Sequence, residues 1–177
     1  IIQDKQGNIW FGTDNGLSRF DGYSFKQYSE ADSLPSNRIE SLFEDKTSRI
    51  WVGTQARGIA IFEKGAFRAN PFRWEDGPRT VYWIGQAADG TIYLGTDQGL
   101  YYIEEGSVRR SRNPKLPERY IVYSLKSQTE SLWIGTNQGL YRSRNDNIQR
   151  LALTKLPNTS IRCMVADQHG ILWLGTG

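Results

Sequence analysis

The stretch Trp10-Phe11-Gly12-Thr13 decides the fold, because near-copies of it return at regular intervals along the chain. The first residues of successive copies lie 41, 42, 40 and 40 positions apart. The later copies are Trp51-Val52-Gly53-Thr54, Tyr93-Leu94-Gly95-Thr96, Trp133-Ile134-Gly135-Thr136 and Trp173-Leu174-Gly175-Thr176. Repetition at such a period indicates an array of supersecondary units, each of which buries a face against the next.

Each repeat contains the signals of four short strands. In residues 37–70, apolar stretches alternate with turns at residues 46–48, 55–58 and 64–65. Ile50, Trp51 and Val52 are consecutive apolar residues, which is typical of a strand buried on both faces. Trp51 is therefore expected to fill the gap between two sheets, and Thr54 to end the strand with a side-chain hydrogen bond. Four short antiparallel strands about every 40 residues are typical of a propeller blade.

The fold prediction is all-β: a partial β-propeller of four four-stranded blades plus the first strands of a fifth. The expected blades cover about residues 1–30, 37–70, 79–111 and 119–151, with a partial blade in residues 160–177. Both ends fall within a blade, so we expect a fragment of a longer receptor whose exposed blade face makes the isolated chain self-associate. Closure into a small ring is the alternative.

Composition excludes several classes of function. The chain has 22 Lys and Arg against 19 Asp and Glu, and the resulting net charge of +3 gives no reason to expect a nucleic-acid partner. One Cys and one His exclude a disulfide framework and a Cys/His zinc site. No apolar run reaches the length of a membrane span, so contact with a membrane would need segments outside this chain. We expect no metal and no cofactor.

The residues that most often carry chemistry are isolated in this sequence. His169 lies in a turn with no orienting partner, and Cys163 is expected to be buried and inert beside Met164. Asp4, Asp45 and Asp167 precede their tryptophans by six residues, and they are expected to stabilise turns rather than to bind calcium. The sequence therefore predicts no catalytic residue.

The stretch from Asp4 to Gly22 resembles the repeat of the two-component regulator propeller family, and Ile161 to Gly175 match its first half again. The intermediate copies depart in detail: Arg57 lies in the second hairpin, Tyr93 replaces Trp, and the fourth copy lacks the Asp–Gly turn. The resemblance implies the extracytoplasmic, periplasmic sensor region of a bacterial inner-membrane receptor. It further implies that a membrane helix and an output module follow elsewhere, either a histidine kinase of a phosphorelay or a diguanylate cyclase. Several relatives in that family respond to oligosaccharides.

A ligand site is expected on the face formed by the links between blades, because loops carry function on a rigid scaffold. Trp74 stands between Arg73 and Arg79 in a linker bounded by Pro71 and Pro78. An indole and guanidinium forks can bind sugars, so a small extracellular ligand such as an oligosaccharide is the expected partner. The remaining candidate residues are Arg57, Arg112, Arg119 and Tyr120.

Two interpretations of this linker stay open from the sequence. As a ligand platform, Trp74 would lie outside the repeat core and its loss would barely affect stability. Alternatively, these are solvated loop residues and Trp74 covers a blade edge. At the level of the whole chain, a structural or protein-binding propeller and a lyase- or sialidase-type enzyme are the alternatives to a sensor.

Overall fold

The computed structural model describes residues 1–77, 79–87, 89–111, 116, 121–128, 131–144, 147–152 and 160–177. The first sheet comprises β1 (Ile2–Gln3), β2 (Ile9–Thr13), β3 (Gly16–Phe20) and β4 (Phe25–Tyr28). A short 3-10 helix, Glu30–Asp32, follows. The second sheet comprises β5 (Ile39–Glu44), β6 (Ile50–Thr54), β7 (Gly58–Glu63) and β8 (Ala66–Ala69).

The remaining strands repeat this order. After β9 (Arg73–Trp74), the third sheet comprises β10 (Val81–Gln86), β11 (Ile92–Thr96), β12 (Gly99–Glu104) and β13 (Ser107–Arg110). The fourth comprises β14 (Val122–Gln128), β15 (Ser131–Thr136), β16 (Gly139–Arg144) and β17 (Asn147–Arg150). The last two strands, β18 (Ile161–Ala166) and β19 (Leu172–Thr176), pair with each other. The predicted all-β fold of four four-stranded antiparallel units and a further strand pair is confirmed, with β9 added to the third sheet as a fifth strand.

The core lies between successive sheets. Trp10 of the first sheet meets Phe62 of the second edge-on, with ring centroids 5.2 Å apart. Trp51 of the second sheet is 1% exposed and belongs to one apolar cluster with Val81 and Leu94 of the third. The prediction that Trp10 and Trp51 fill the gaps between sheets is confirmed, and burial of this kind is the main stabilising contribution in a propeller.

The residues around the repeated motif behave as the sequence predicts. All five residues of β6 are buried. Thr54 Oγ1 donates to the Gly58 carbonyl oxygen at 2.9 Å, and Thr96 and Thr136 make the equivalent bond. A Cβ at Gly53 would collide with the Val81 carbonyl oxygen of the next sheet. Glycine is therefore required at that position so that the first strand of the following sheet can approach closely.

Candidate functional site

The aspartates that recur six residues before the tryptophans close a turn and hold the indole. Asp4 accepts hydrogen bonds from the Gln6 and Asn8 amides at 3.0 and 2.8 Å, and from Trp10 Nε1 at 2.8 Å. The equivalent indole bonds are Trp51 Nε1 to Asp45 at 2.8 Å and Trp173 Nε1 to Asp167 at 3.0 Å. The turn role is confirmed. The bond to the indole was not predicted, although the constant six-residue spacing signals it.

The hydrogen bonds to Asp45 favour its ionised form. Burial of the carboxylate opposes ionisation, but hydrogen bonds donated by Trp51, Thr47 and Arg49 outweigh it and lower its pKa to about 2. Arg49 Nε lies 2.7 Å from Asp45 Oδ2, and its guanidinium carbon lies 5.3 Å from the Trp51 ring centroid. This arrangement fixes the Asp45 carboxylate and the Trp51 indole in place, which is a structural role.

The expectation that Trp74 lies outside the core is wrong. Trp74 is only 9% exposed, and its ring centroid lies 5.9 Å from that of Tyr101. The reason is a pairing that no local pattern reveals: β9 runs parallel to β13 and adds a fifth strand to the outer edge of the next sheet. Phe72 of the same linker stacks on Trp51, with centroids 5.9 Å apart and rings 2° from parallel. The linker thus covers a blade edge, which was the alternative interpretation.

The arginine candidates in that linker and in the β6–β7 hairpin have different surroundings from one another. Arg79 Nη2 donates to the Asp76 carbonyl oxygen at 2.7 Å, within the linker itself. Arg73 is exposed. Arg57 Nη1 lies 3.8 Å from Glu30 Oε2 and donates to the Pro35 carbonyl oxygen at 3.4 Å, both on the preceding linker. Arg112, Arg119 and Tyr120 lie outside the described residues.

The remaining reactive side chains do not assemble a catalytic or metal site in the described part of the chain. Cys163 is exposed, so the prediction that it is buried is wrong: β18 packs against β14 and β15 of the preceding sheet, and no described sheet covers its other face. His169 is exposed in its turn and contacts Gln168. Within the described ranges, no three His, Cys, Asp or Glu side chains form a group that could hold a metal ion. Likewise, none of the described helices has the length and apolar character needed to cross a membrane.

The structure reveals a row of side chains that the sequence analysis missed. The first strands of the last four sheets, β5, β10, β14 and β18, each carry a β-bulge at the same place. The extra residues are Glu40, Tyr82, Tyr123 and Arg162, and we call them the bulge row. A β-bulge interrupts the regular alternation of side chains along a strand and so changes the direction of one side chain. Bulges are frequent next to active sites.

The side chains of the bulge row contact one another across sheets. The ring centroids of Tyr82 and Tyr123 lie 5.3 Å apart at an angle of 55°. The Arg162 guanidinium carbon lies 4.2 Å from the Tyr123 ring centroid. Burial raises the pKa of Tyr82, and the negative charges of Glu40 and Asp97 raise it further. Two half-buried phenol rings from neighbouring sheets therefore contact each other, a guanidinium lies against one of them, and the Glu40 carboxylate acts electrostatically on the other.

Repeats of this pattern are found in a known family. Residues 1–15, 33–56 and 155–177 match the two component regulator propeller, in agreement with the resemblance of the sequence. These three segments are therefore similar to the repeat of the two component regulator propeller family. A search of curated proteins found no significant match.

Solved structures share the fold over nearly the whole chain. The extracellular domain of BT4673 from B. thetaiotaomicron, described both as a one component system and as a hybrid two component system, has a TM-score of 0.83 and 25% identity over 97% of this chain. That of BT3049 from B. thetaiotaomicron has a TM-score of 0.82 and 24% identity over 99%. The chain spans 25% and 27% of the lengths of these two solved extracellular domains. Virginiamycin B lyase from Staphylococcus aureus shares the fold alone, with a TM-score of 0.77 and 17% identity over 98% of this chain and 61% of the lyase.

Proposed function

We propose that the chain is part of the extracytoplasmic sensor region of a bacterial inner-membrane signalling receptor, where it contributes to binding a small extracellular ligand. The observation that carries the proposal is the match to regulator propeller repeats together with the match to the extracellular domain of BT4673. Oligosaccharides are the proposed ligand class. The output module lies outside this chain, and a histidine kinase is favoured over a diguanylate cyclase because the similar structures come from hybrid two component systems.

The receptor would work by differential binding. A ligand that binds one arrangement of two receptor chains more tightly than another shifts the population toward that arrangement. A propeller suits this role because its sheets form a rigid scaffold, so the binding surface needs little ordering on contact. In the described residues, the propeller supplies binding groups and no nucleophile with an adjacent base, so we assign the chain no catalysis of its own.

The location can be tested on the full-length protein in its bacterium. A protease site inserted in the turn at Gly22–Tyr23, where Tyr23 is 98% exposed, should be cleaved when protease is added to cells with a permeabilised outer membrane. Protection in such cells, with cleavage only after lysis, would contradict an extracytoplasmic location. A cytoplasmic protein carrying the same site provides the control for lysis.

Sensing is tested by the output of the same full-length protein. Cells that grow on single oligosaccharides should show a transcriptional response to at least one of them, and that response should disappear when the gene is deleted. An unchanged response in the deletion strain for every oligosaccharide would contradict the sensor function.

A further inference from the structure

The bulge row holds three different residue types at one structural position of four sheets. The residues before the bulges are Ile39, Val81, Val122 and Ile161, and the last three of these are 0% exposed. The residues after the bulges are Ser41, Trp83, Ser124 and Cys163, which lie against the glycines of the Trp-x-Gly-Thr motifs. The preceding residue is thus held by core packing in three of the four sheets, and the following residue by its contact with glycine, while the bulged residue is Glu, Tyr, Tyr or Arg.

The surroundings of the row offer polar groups at the surface. Glu40 and Arg162 are exposed, and Tyr82 and Tyr123 are half-buried. Asp97, in the hairpin between β11 and β12, is half-buried and acts electrostatically on Tyr82, and its Oδ1 is buried with no hydrogen-bond donor among the described residues. The row thus combines aromatic rings with hydrogen-bond acceptors on one side and a donor on the other.

We propose that the bulge row, together with Asp97, is the ligand-recognition surface of this propeller, and that it binds an uncharged sugar ring. The proposal rests on the sensor function proposed above. The tyrosine rings present apolar faces to the sugar, the Glu40 and Asp97 carboxylates accept hydrogen bonds from hydroxyl groups, and Arg162 donates to a hydroxyl or ring oxygen. An acidic sugar would face two carboxylates, and the one guanidinium already lies against Tyr123.

The site is compatible with rigid binding. The two tyrosine rings of the row already contact each other. The residues before and after each bulge are paired with the neighbouring strand, which fixes the backbone there. A ligand would therefore need to order few side chains. The side chains come from four different sheets, and a ligand that spans them would bridge the sheets.

The test is isothermal titration calorimetry with hexasaccharides of glucose, xylose, mannose and galactose as uncharged probes, and hexagalacturonate as the acidic probe. At least one uncharged probe should bind the protein, and Tyr82→Ala and Glu40→Gln should each weaken its Kd about tenfold or more. Tyr23→Ala and Glu63→Gln are the matched controls, because Tyr23 is fully exposed and Glu63 pairs with Arg68. Both controls should bind like the unaltered protein.

Three outcomes would overturn the proposal. Unchanged affinity in both Tyr82→Ala and Glu40→Gln would place the site elsewhere. Binding of hexagalacturonate alone would overturn the uncharged ligand class. Absence of binding by all five probes would overturn the sugar assignment for this chain, while the transcriptional response of the full-length receptor would still decide the sensor function independently. Because Glu40 is exposed, Glu40→Gln keeps the test valid even if Tyr82→Ala disturbs folding.

Discussion

At the residue scale, the recurring Asp–Trp pair makes the stability of the protein depend on pH. The folded-state pKa of Asp45 is about 2, below the ordinary value of 3.8. A carboxylate whose pKa is lowered by folding stabilises the native state above its unfolded pKa, and this stabilisation is lost as the pH falls toward the folded pKa. The Asp45 contribution is therefore complete above about pH 5 and disappears between about pH 5 and pH 2.

We predict that Asp45→Asn lowers the free energy of unfolding by about 2 kcal/mol at pH 7, because the shift corresponds to about two pKa units. Denaturant unfolding at several pH values measures this effect. The difference between Asp45→Asn and the unaltered protein should shrink as the pH falls from 5 to 2. Asp167→Asn is the matched control, since the same turn there holds an exposed Trp173, and it should cost less. Equal losses at both positions would contradict the role of burial.

The buried position of Trp74 gives a second prediction at this scale. Trp74→Ala and Trp51→Ala should each lower the free energy of unfolding by about 3–5 kcal/mol, because both indoles are buried in the same cluster. Tyr23→Ala, at a fully exposed residue, should leave it unchanged. If the Trp74→Ala protein were as stable as the Tyr23→Ala protein, the buried position of Trp74 would be contradicted. The interpretation of Trp74 as a ligand platform would then be favoured again.

At the scale of the strand, the bulge row should show electrostatic coupling between sheets. We predict that Glu40→Gln lowers the pKa of Tyr82, because the negative charge of Glu40 contributes to raising it. Burial, the largest cause, remains, so the pKa should stay above 10. Titration of the tyrosine Cζ signals by ¹³C NMR measures the change, with Glu63→Gln as the control. An unchanged pKa of Tyr82 in the Glu40→Gln protein would show that the two residues do not interact electrostatically, and would contradict the coupling between sheets.

The strand scale also shows where sequence reasoning succeeded and where it failed. The Trp51-Val52-Gly53-Thr54 motif could be assigned to a doubly buried strand because its apolar residues are consecutive in the sequence. Trp74 could not be placed, because its burial depends on parallel pairing with β13, about 34 residues further along the chain. The bulge row depends on strand register, which follows from pairing and not from composition. The sequence nevertheless shows the pattern of the bulge row: in each of these four strands, a residue that differs between repeats follows an isoleucine or valine.

At the scale of the whole molecule, the repeat predicted the architecture because every copy of the motif indicates the same arrangement of strands. It predicted a ligand site on the linker face, and the proposed bulge row lies at the linker end of the first strands, but it did not single out these residues, because the positions that recur in every copy serve packing. The candidates chosen from linker composition, Arg57, Arg73, Trp74 and Arg79, turn out to have different surroundings from one another.

The exposed apolar surface of the last strand pair makes a further prediction at this scale. Val165, Ile171 and Trp173 are 58%, 56% and 60% exposed, whereas Trp51 at the equivalent position is 1% exposed. We predict that the purified chain self-associates through this surface, because contiguous exposed apolar groups favour association. Sedimentation velocity should show a concentration-dependent oligomer that Trp173→Ser weakens and Tyr23→Ser does not. A monomer at all concentrations would contradict this prediction.

The central claim is that the first strand of each of the last four sheets places a bulged residue, proposed for recognition, next to a core residue. Two adjacent residues test it most directly. Ile161 is 0% exposed, and Arg162 is the exposed bulged residue that follows it. Denaturant unfolding should show that Ile161→Ala lowers the free energy of unfolding by about 2–5 kcal/mol, whereas Arg162→Ala lowers it by less than about 1 kcal/mol. Equal losses from the two substitutions would show that the bulged side chain is part of the core, and would contradict the account.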